Sequence, residues 1–238
     1  MKQPKTEEQI AKKYLDALSI GNVSYEPEDP PDLVLASKVG VEVRRLNENY
    51  FGSGKTKGLE QVDIPLHHKL REVLTSYDGK YEGHSYYIGL IFERPLVDRI
   101  AKIGDEMRRV LDAFLGGTRT TPQELRVNKN ILLEIFPGSS HPNRVFLHAV
   151  TADDDSGGVV VQLYAKNISH CIAEKNQKIA SRITLYSEWW LLLVDSIGAW
   201  SLMPDEVQQV KDGIIGTGDF KKIIVIDCFG NQCLLEIS

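Results

Sequence analysis

Residues 31–46 read Pro31-Asp32-Leu33-Val34-Leu35-Ala36-Ser37-Lys38-Val39-Gly40-Val41-Glu42-Val43-Arg44-Arg45-Leu46. Two apolar runs, 33–36 and 40–46, flank a short polar turn, which is the pattern of two short strands. Side chains alternate faces along a strand, so Glu42 points away from Val41 and Val43. If a helix covers that face, Glu42 is a buried carboxylate and needs a partner. Asp32 opens the first strand and Glu42 lies on the second, so the two can meet at one end of a hairpin. Two carboxylates placed there can hold Mg²⁺, a hard ion that takes oxygen ligands and keeps several waters. Such an ion activates a water and stabilises charge on a phosphate. Two blander readings stand beside this one. Pro-Asp at the head of a strand is ordinary turn chemistry, and Glu42 with a lysine makes a core ion pair without any metal.

Outward from this stretch, Thr6 and Gln9 read as a capping box opening a helix over 7–18, stopped by Gly21 and Asn22. Residues 26–31 read as loop, and 47–58 as a glycine-rich loop. A helix is predicted over 66–76, a strand over 85–92, and a helix over 96–115 that starts after Pro95 and ends at Gly116-Gly117. Strands are predicted near 130–136, 143–150 and 159–164, the last two joined by the turn-forming run Asp153-Asp154-Asp155-Ser156-Gly157-Gly158. A helix over 167–184 leads into the strongly apolar strand 189–194, followed by a short helix at 204–212 and strands at 222–227 and 232–237. Helices and strands mix irregularly, which gives an α/β class with a mixed sheet.

Pro-Asp, then Glu-x-basic after a short hairpin, with a helix upstream and a later helix running into an apolar strand, resembles the PD-(D/E)XK nuclease superfamily. The resemblance implies a restriction-endonuclease-like core, a mixed central sheet flanked by helices. That core would draw on 5–46 and 167–195 of a single domain spanning 1–238, with 47–166 as a long insertion. It also implies metal-dependent phosphodiester cleavage in DNA defence or repair, with Mg²⁺ on Asp32 and Glu42. Glu7, on the face of the first helix shared by Ile10, Tyr14 and Ala17, would be the added acidic ligand. The expected partner is nucleic acid, met through a local basic surface, with a homodimer as the assembly and no membrane.

One motif position departs from the family: Arg44 stands where a lysine is expected. Arginine stays protonated and acts as a fixed charge, whereas lysine can orient or polarise a water. The helix over 167–184 offers a replacement. Ile168, Cys171, Ile172, Ile179, Ile183 and Tyr186 form one stripe, with Lys175 near its middle, Lys178 at its edge and Arg182 just inside it. A lysine within an apolar face snorkels or meets a carboxylate, so Lys175 is expected to point at Glu42. The candidate catalytic set is Asp32, Glu42, Arg44 and Lys175. The alternative is an inactive nuclease-like binding protein.

Gly52-Ser53-Gly54-Lys55-Thr56 matches the end of a phosphate-binding P-loop, and two apolar strands end in Asp195 and Asp227 as a magnesium-binding strand would. Against it, Asn49 occupies the first motif glycine, and Gly58 and Pro65 interrupt the helix that must hold the phosphates. The preceding strand also carries Glu42, Arg44 and Arg45. Nucleotide binding through Lys55 and Thr56 is therefore the lesser alternative.

The histidines show no metal spacing, and His67-His68 read as a solvent-facing pair at a helix start. Cys228 and Cys233 read as reduced core thiols, and Trp189, Trp190 and Trp200 as core or interface. Three cysteines in 238 residues exclude a disulfide framework. The chain is 42% hydrophobic and 26% charged, with a net charge of −5, so it is neither disordered nor a general nucleic-acid coat. It has no apolar run near the ~20 residues of a membrane span. A cytoplasmic protein without a secretory leader is the expectation.

Overall fold

The computed structural model describes residues 3–52, 56–79, 84–198 and 202–238. The chain divides into two compact units, one from residues 1–48 and 157–238, the other from 49–156. The sequence pattern alone suggests one domain elaborated over 47–166.

The first unit is built on a six-stranded mixed sheet. Its strands, in chain order, are β1 (Val23–Tyr25), β2 (Leu33–Leu35), β3 (Val39–Leu46), then β10 (Glu188–Asp195), β11 (Lys222–Ile226) and β12 (Cys233–Ile237). They lie side by side in that order. β3, β10 and β11 run parallel, with Glu42 opposite Leu191, while both flanking pairs are antiparallel. β10 is a central parallel strand buried on both faces, which is why Leu191-Leu192-Leu193-Val194 shows no alternation. Helix α1 (Thr6–Ala17) covers one face, packing Ala11, Tyr14 and Leu15 on Leu33, Val41, Val43 and Leu192. Helix α4 (Val160–Ile179) covers the other, with Ile168, Cys171, Ile172 and Ile179 on Leu191, Leu193 and Ile223. Helix α5 (Pro204–Asp212) packs beside α4. Gly40 makes one close contact possible: a Cβ there would lie 3.0 Å from both Tyr186 and Trp189.

The second unit has its own core. Strands β6 (Tyr86–Phe92), β7 (Gln123–Asn128), β8 (Ile131–Pro137) and β9 (Phe146–Asp153) pair in the order β7-β8-β6-β9, with only β6 and β9 parallel. Helices α2 (Glu60–Thr75) and α3 (Ile100–Gly116) bury Leu66, Leu70, Ile103, Met107 and Leu111 against Ile88, Leu90 and Leu133. A two-residue pair, β4 (Asn49–Tyr50) and β5 (Lys57–Gly58), precedes α2. The α/β class with a mixed sheet holds for the chain. Among the described residues no helix is long and apolar enough to cross a membrane.

Several local expectations differ from the structure, each for a physical reason. Residues 160–164 are helix, not strand: Gly157 and Gly158 take positive φ, turning the chain into α4, whose packing on the sheet overrides the β-branched run. α2 starts at Glu60 and carries Pro65 inside it. The start of α1 is closed by the Lys5 N–H donating to Glu8 Oε2 at 3.0 Å, not by a Thr6–Gln9 box. β7 carries little strand signal because its burial is slight. Cys228 and Cys233 are exposed at the β11–β12 turn. Trp189 is buried and Trp190 half-buried, while Trp200 lies outside the described residues.

The chain leaves the first unit at Glu48 and returns at Gly157, whose N–H donates to Glu48 Oε1 at 2.9 Å.

Candidate functional site

β3 brings Glu42 to the sheet face beneath α4, because strand alternation turns it away from the face of Val41 and Val43. Glu42 is 0% exposed. Lys175, in the middle of the apolar stripe of α4, reaches it: Nζ donates to Oε2 at 2.5 Å. Lys178, one turn further along the same face, donates to Oε1 at 3.1 Å and Oε2 at 2.8 Å. Asp32 stands at the head of β2, where its Oδ2 accepts the Val43 N–H at 2.7 Å. That bond ties the carboxylate to the strand next to Glu42, and Lys175 Nζ lies 3.6 Å from the same oxygen. Asp29, on the loop before β2, pairs with Lys178 at close range. Oxygens of Asp29, Asp32 and Glu42 all lie within 4.8 Å of one another.

The charges explain one another. Burial pushes the Glu42 carboxyl above its ordinary range, Lys175 and Lys178 pull it back, and the Asp32 charge adds to the rise. For Lys178, burial alone would lower the ammonium, but hydrogen bonds to Asp29 and Glu42 outweigh it and raise it. Three carboxylates against two ammonium groups leave a formal charge of −1.

A cavity of about 170 Å³ opens onto Asp29 and Asp32 and is also lined by Glu8, Tyr25, Glu26 and Pro31. Its wall is acidic, so it attracts cations and repels a phosphate unless a cation neutralises it. The donor set is hard oxygen, which suits Mg²⁺ or Ca²⁺ rather than a thiol-seeking metal. Part of that set is already engaged by ammonium groups.

Not every residue picked from the sequence gathers here. Glu7 is half-buried and is not part of the acidic group found among the described residues. The buried stripe of α1 keeps Tyr14 but adds Ala11 and Leu15 in place of Ile10 and Ala17, and Glu8 rather than Glu7 lines the cavity. Arg44 shares the face of Glu42 but pairs with Glu174 on α4, and its neighbour His170 lies 3.6 Å from the same carboxylate. Asp29 is the member that sequence reasoning missed, since it reads as loop chemistry alone. The signal for it is an Asp three residues before Asp32, across the stiff Pro30-Pro31 pair.

The P-loop residues Ser53, Gly54 and Lys55 lie outside the described residues. The chain beyond them enters the short strand β5, not a helix N-terminus. The two strand-terminal aspartates have other work. Asp195 accepts the Tyr164 hydroxyl at 2.6 Å, and Asp227 accepts the Asn231 and Gln232 N–H groups of the β11–β12 turn. Asp153 and Asp155, of the turn-forming run, pair with Arg94.

No family model, curated protein or solved structure gives a significant match to the chain.

Proposed function

We propose that the protein is a metal-dependent phosphodiesterase acting on nucleic acid, a divergent relative of the PD-(D/E)XK nucleases with Lys175 in place of the missing motif lysine. One observation carries the reading: Asp29, Asp32 and Glu42 converge within 4.8 Å, Asp29 and Asp32 line a cavity, and buried Lys175 stands against Glu42. A Mg²⁺ ion held by these three carboxylates would supply an acidified water and positive charge for the scissile phosphate. Asp32 is held by the Val43 N–H, so its orientation is set before any ligand arrives. Lys175 orients Glu42 and places a positive charge 3.6 Å from Asp32 Oδ2. Lys178 is partly exposed, and its stem lets it swing into solvent when Asp29 and Glu42 ligate together.

The test is cleavage of single-stranded and duplex DNA and RNA with Mg²⁺ or Mn²⁺. Asp32→Asn, Glu42→Gln and Lys175→Met are each expected to lose roughly 100-fold or more in rate with the fold retained. A wild-type protein that neither binds Mn²⁺ by calorimetry nor cleaves any of the four substrates overturns the reading. A second reading has its own support. Both oxygens of Glu42 are taken by lysines, and Arg44 is spent on Glu174. This arrangement suits an inactive nuclease-like protein that binds nucleic acid. It predicts nucleic-acid affinity unchanged by Asp32→Asn, with no cleavage.

A further inference from the structure

The second unit carries a cluster that the proposed chemistry does not use. Along α2, Asp63, Ile64, His67, His68 and Arg71 recur at helical spacing, and β9 meets that face with His148 and Thr151. His67 Nδ1 lies 3.0 Å from Asp63 Oδ1, so that nitrogen donates and Nε2 is left as an acceptor. The Thr151 hydroxyl, 2.7 Å away, donates to His67 Nε2. His148 Nε2, 2.9 Å from the same oxygen, is then the donor to Thr151. The chain Asp63–His67–Thr151–His148 fixes both imidazoles, whose rings meet edge to face at 5.5 Å.

These fixed rings form a wall with His68 and Arg71 around an open cavity of about 270 Å³, completed by Ile64. The lining thus holds three imidazoles and one guanidinium and no carboxylate. Asp63, the acid beside it, is committed to His67. Among the described residues no hydrogen bond or ion pair engages the Arg71 guanidinium or the His68 ring. Burial, the neighbouring His67 and the Arg71 charge all hold the His148 ring toward its neutral form. An anion in the cavity would relieve that repulsion. A metal cation would meet Arg71, and the Nε2 atoms of His67 and His148 are already on Thr151.

We propose that this cavity binds a phosphate group, with Arg71 as the fork-shaped charged donor, His68 as the flanking donor and His148 in the wall beside them. The proposal does not depend on the nuclease reading. A guanidinium recognises phosphate oxygens in pairs, and the volume admits one such group. Free phosphate and the terminal phosphate of a nucleic acid share this chemistry.

The test is calorimetry on the full chain with three probes at matched ionic strength. They are inorganic phosphate, a short oligonucleotide with a 5′-phosphate, and the same oligonucleotide without it. Saturable binding of inorganic phosphate, or of the phosphorylated oligonucleotide over its unphosphorylated form, supports the site, and which of the two binds identifies the source. Arg71→Met is expected to weaken that binding roughly tenfold or more, and His68→Ala to weaken it less. The His148 ring resonances should shift on binding in the wild type. Both variants alter exposed positions, and an unchanged thermal midpoint verifies the fold. No saturable binding of either phosphate probe, equal binding of the two oligonucleotides with no free-phosphate binding, or undiminished binding in Arg71→Met overturns the proposal.

Discussion

Arg94 in the second unit and Glu42 in the first are both buried charges at a sheet, and both clusters sum to a formal −1. Arg94, 2% exposed at its side chain, faces Asp153 and Asp155. Its Nη2 donates to the Leu59 carbonyl at 2.9 Å, and its guanidinium lies over the Phe92 ring. One rigid, permanently charged fork thus ties strand, turn and helix start together, and nothing in that arrangement exchanges. Around Glu42 the cations are of another kind: three carboxylates share two lysines on flexible stems, beside a cavity. Net charge therefore does not distinguish a structural cluster from a candidate site. The two differ in whether the cation is a fixed fork or a replaceable point charge, and in whether an opening leads to it.

The largest expected effect is at the closed cluster. Arg94→Met strips the guanidinium from Asp153 and Asp155 and should cost about 3 kcal/mol or more. Arg94→Lys should restore little, because a point charge cannot serve carboxylate and carbonyl together. Urea unfolding followed by amide exchange in β6 and β9 measures this, and a loss below about 1 kcal/mol breaks the comparison.

Lys175→Met should cost less, about 2 kcal/mol, because Lys178 still reaches Glu42. Adding Glu42→Gln should recover part of that loss, since a neutral amide no longer demands two cations. A double variant worse than Lys175→Met would mean that the Glu42 charge itself holds the sheet to α4.

The pH dependence sharpens the same point. The Glu42 carboxyl is raised in the fold, so its contribution is complete below the ordinary carboxylate range and is lost as pH rises through the raised value. The urea midpoint of the wild type, relative to Glu42→Gln, should fall as pH is raised from about 4. A relative midpoint that climbs over that interval means lysine pairing outweighs burial.

The smallest effect should come from Lys178→Met. Its side chain is 29% exposed, so the loss should stay within about 1 kcal/mol. Mn²⁺ affinity should increase in the same variant, because a competitor for Asp29 and Glu42 is gone. A stability loss as large as that of Lys175→Met would place this cluster in the same class as Arg94.

The legibility of each feature in the sequence depends on where its information sits. The central strand is legible because four apolar residues in a row fit a strand buried on both faces. The meeting of Lys175 with Glu42 is legible because two local patterns, a charge in an apolar stripe and a charge in a strand alternation, each require a partner. Lys178 is visible only as a flank of that stripe, since its partner Asp29 lies on a loop whose path depends on tertiary contacts. The His67–Thr151–His148 cluster leaves no trace, because its members are 84 and 3 residues apart and meet only when α2 packs on β9. The β-branched run at the start of α4 misleads for the same reason: its helical state is imposed by the sheet below it.

The bond from Gly157 to Glu48 has a consequence for the architecture of the gene product. It pinches together the two points between which residues 49–156 are spliced. A graft whose ends already touch can be cut out and the gap bridged by a few glycines and serines. Shortening the tether between β3 and α4 from about a hundred residues to about six would lower the entropy cost of closing that loop by about 2.5 kcal/mol. The trimmed protein, carrying Glu42 and Lys175 together, should fold without its passenger.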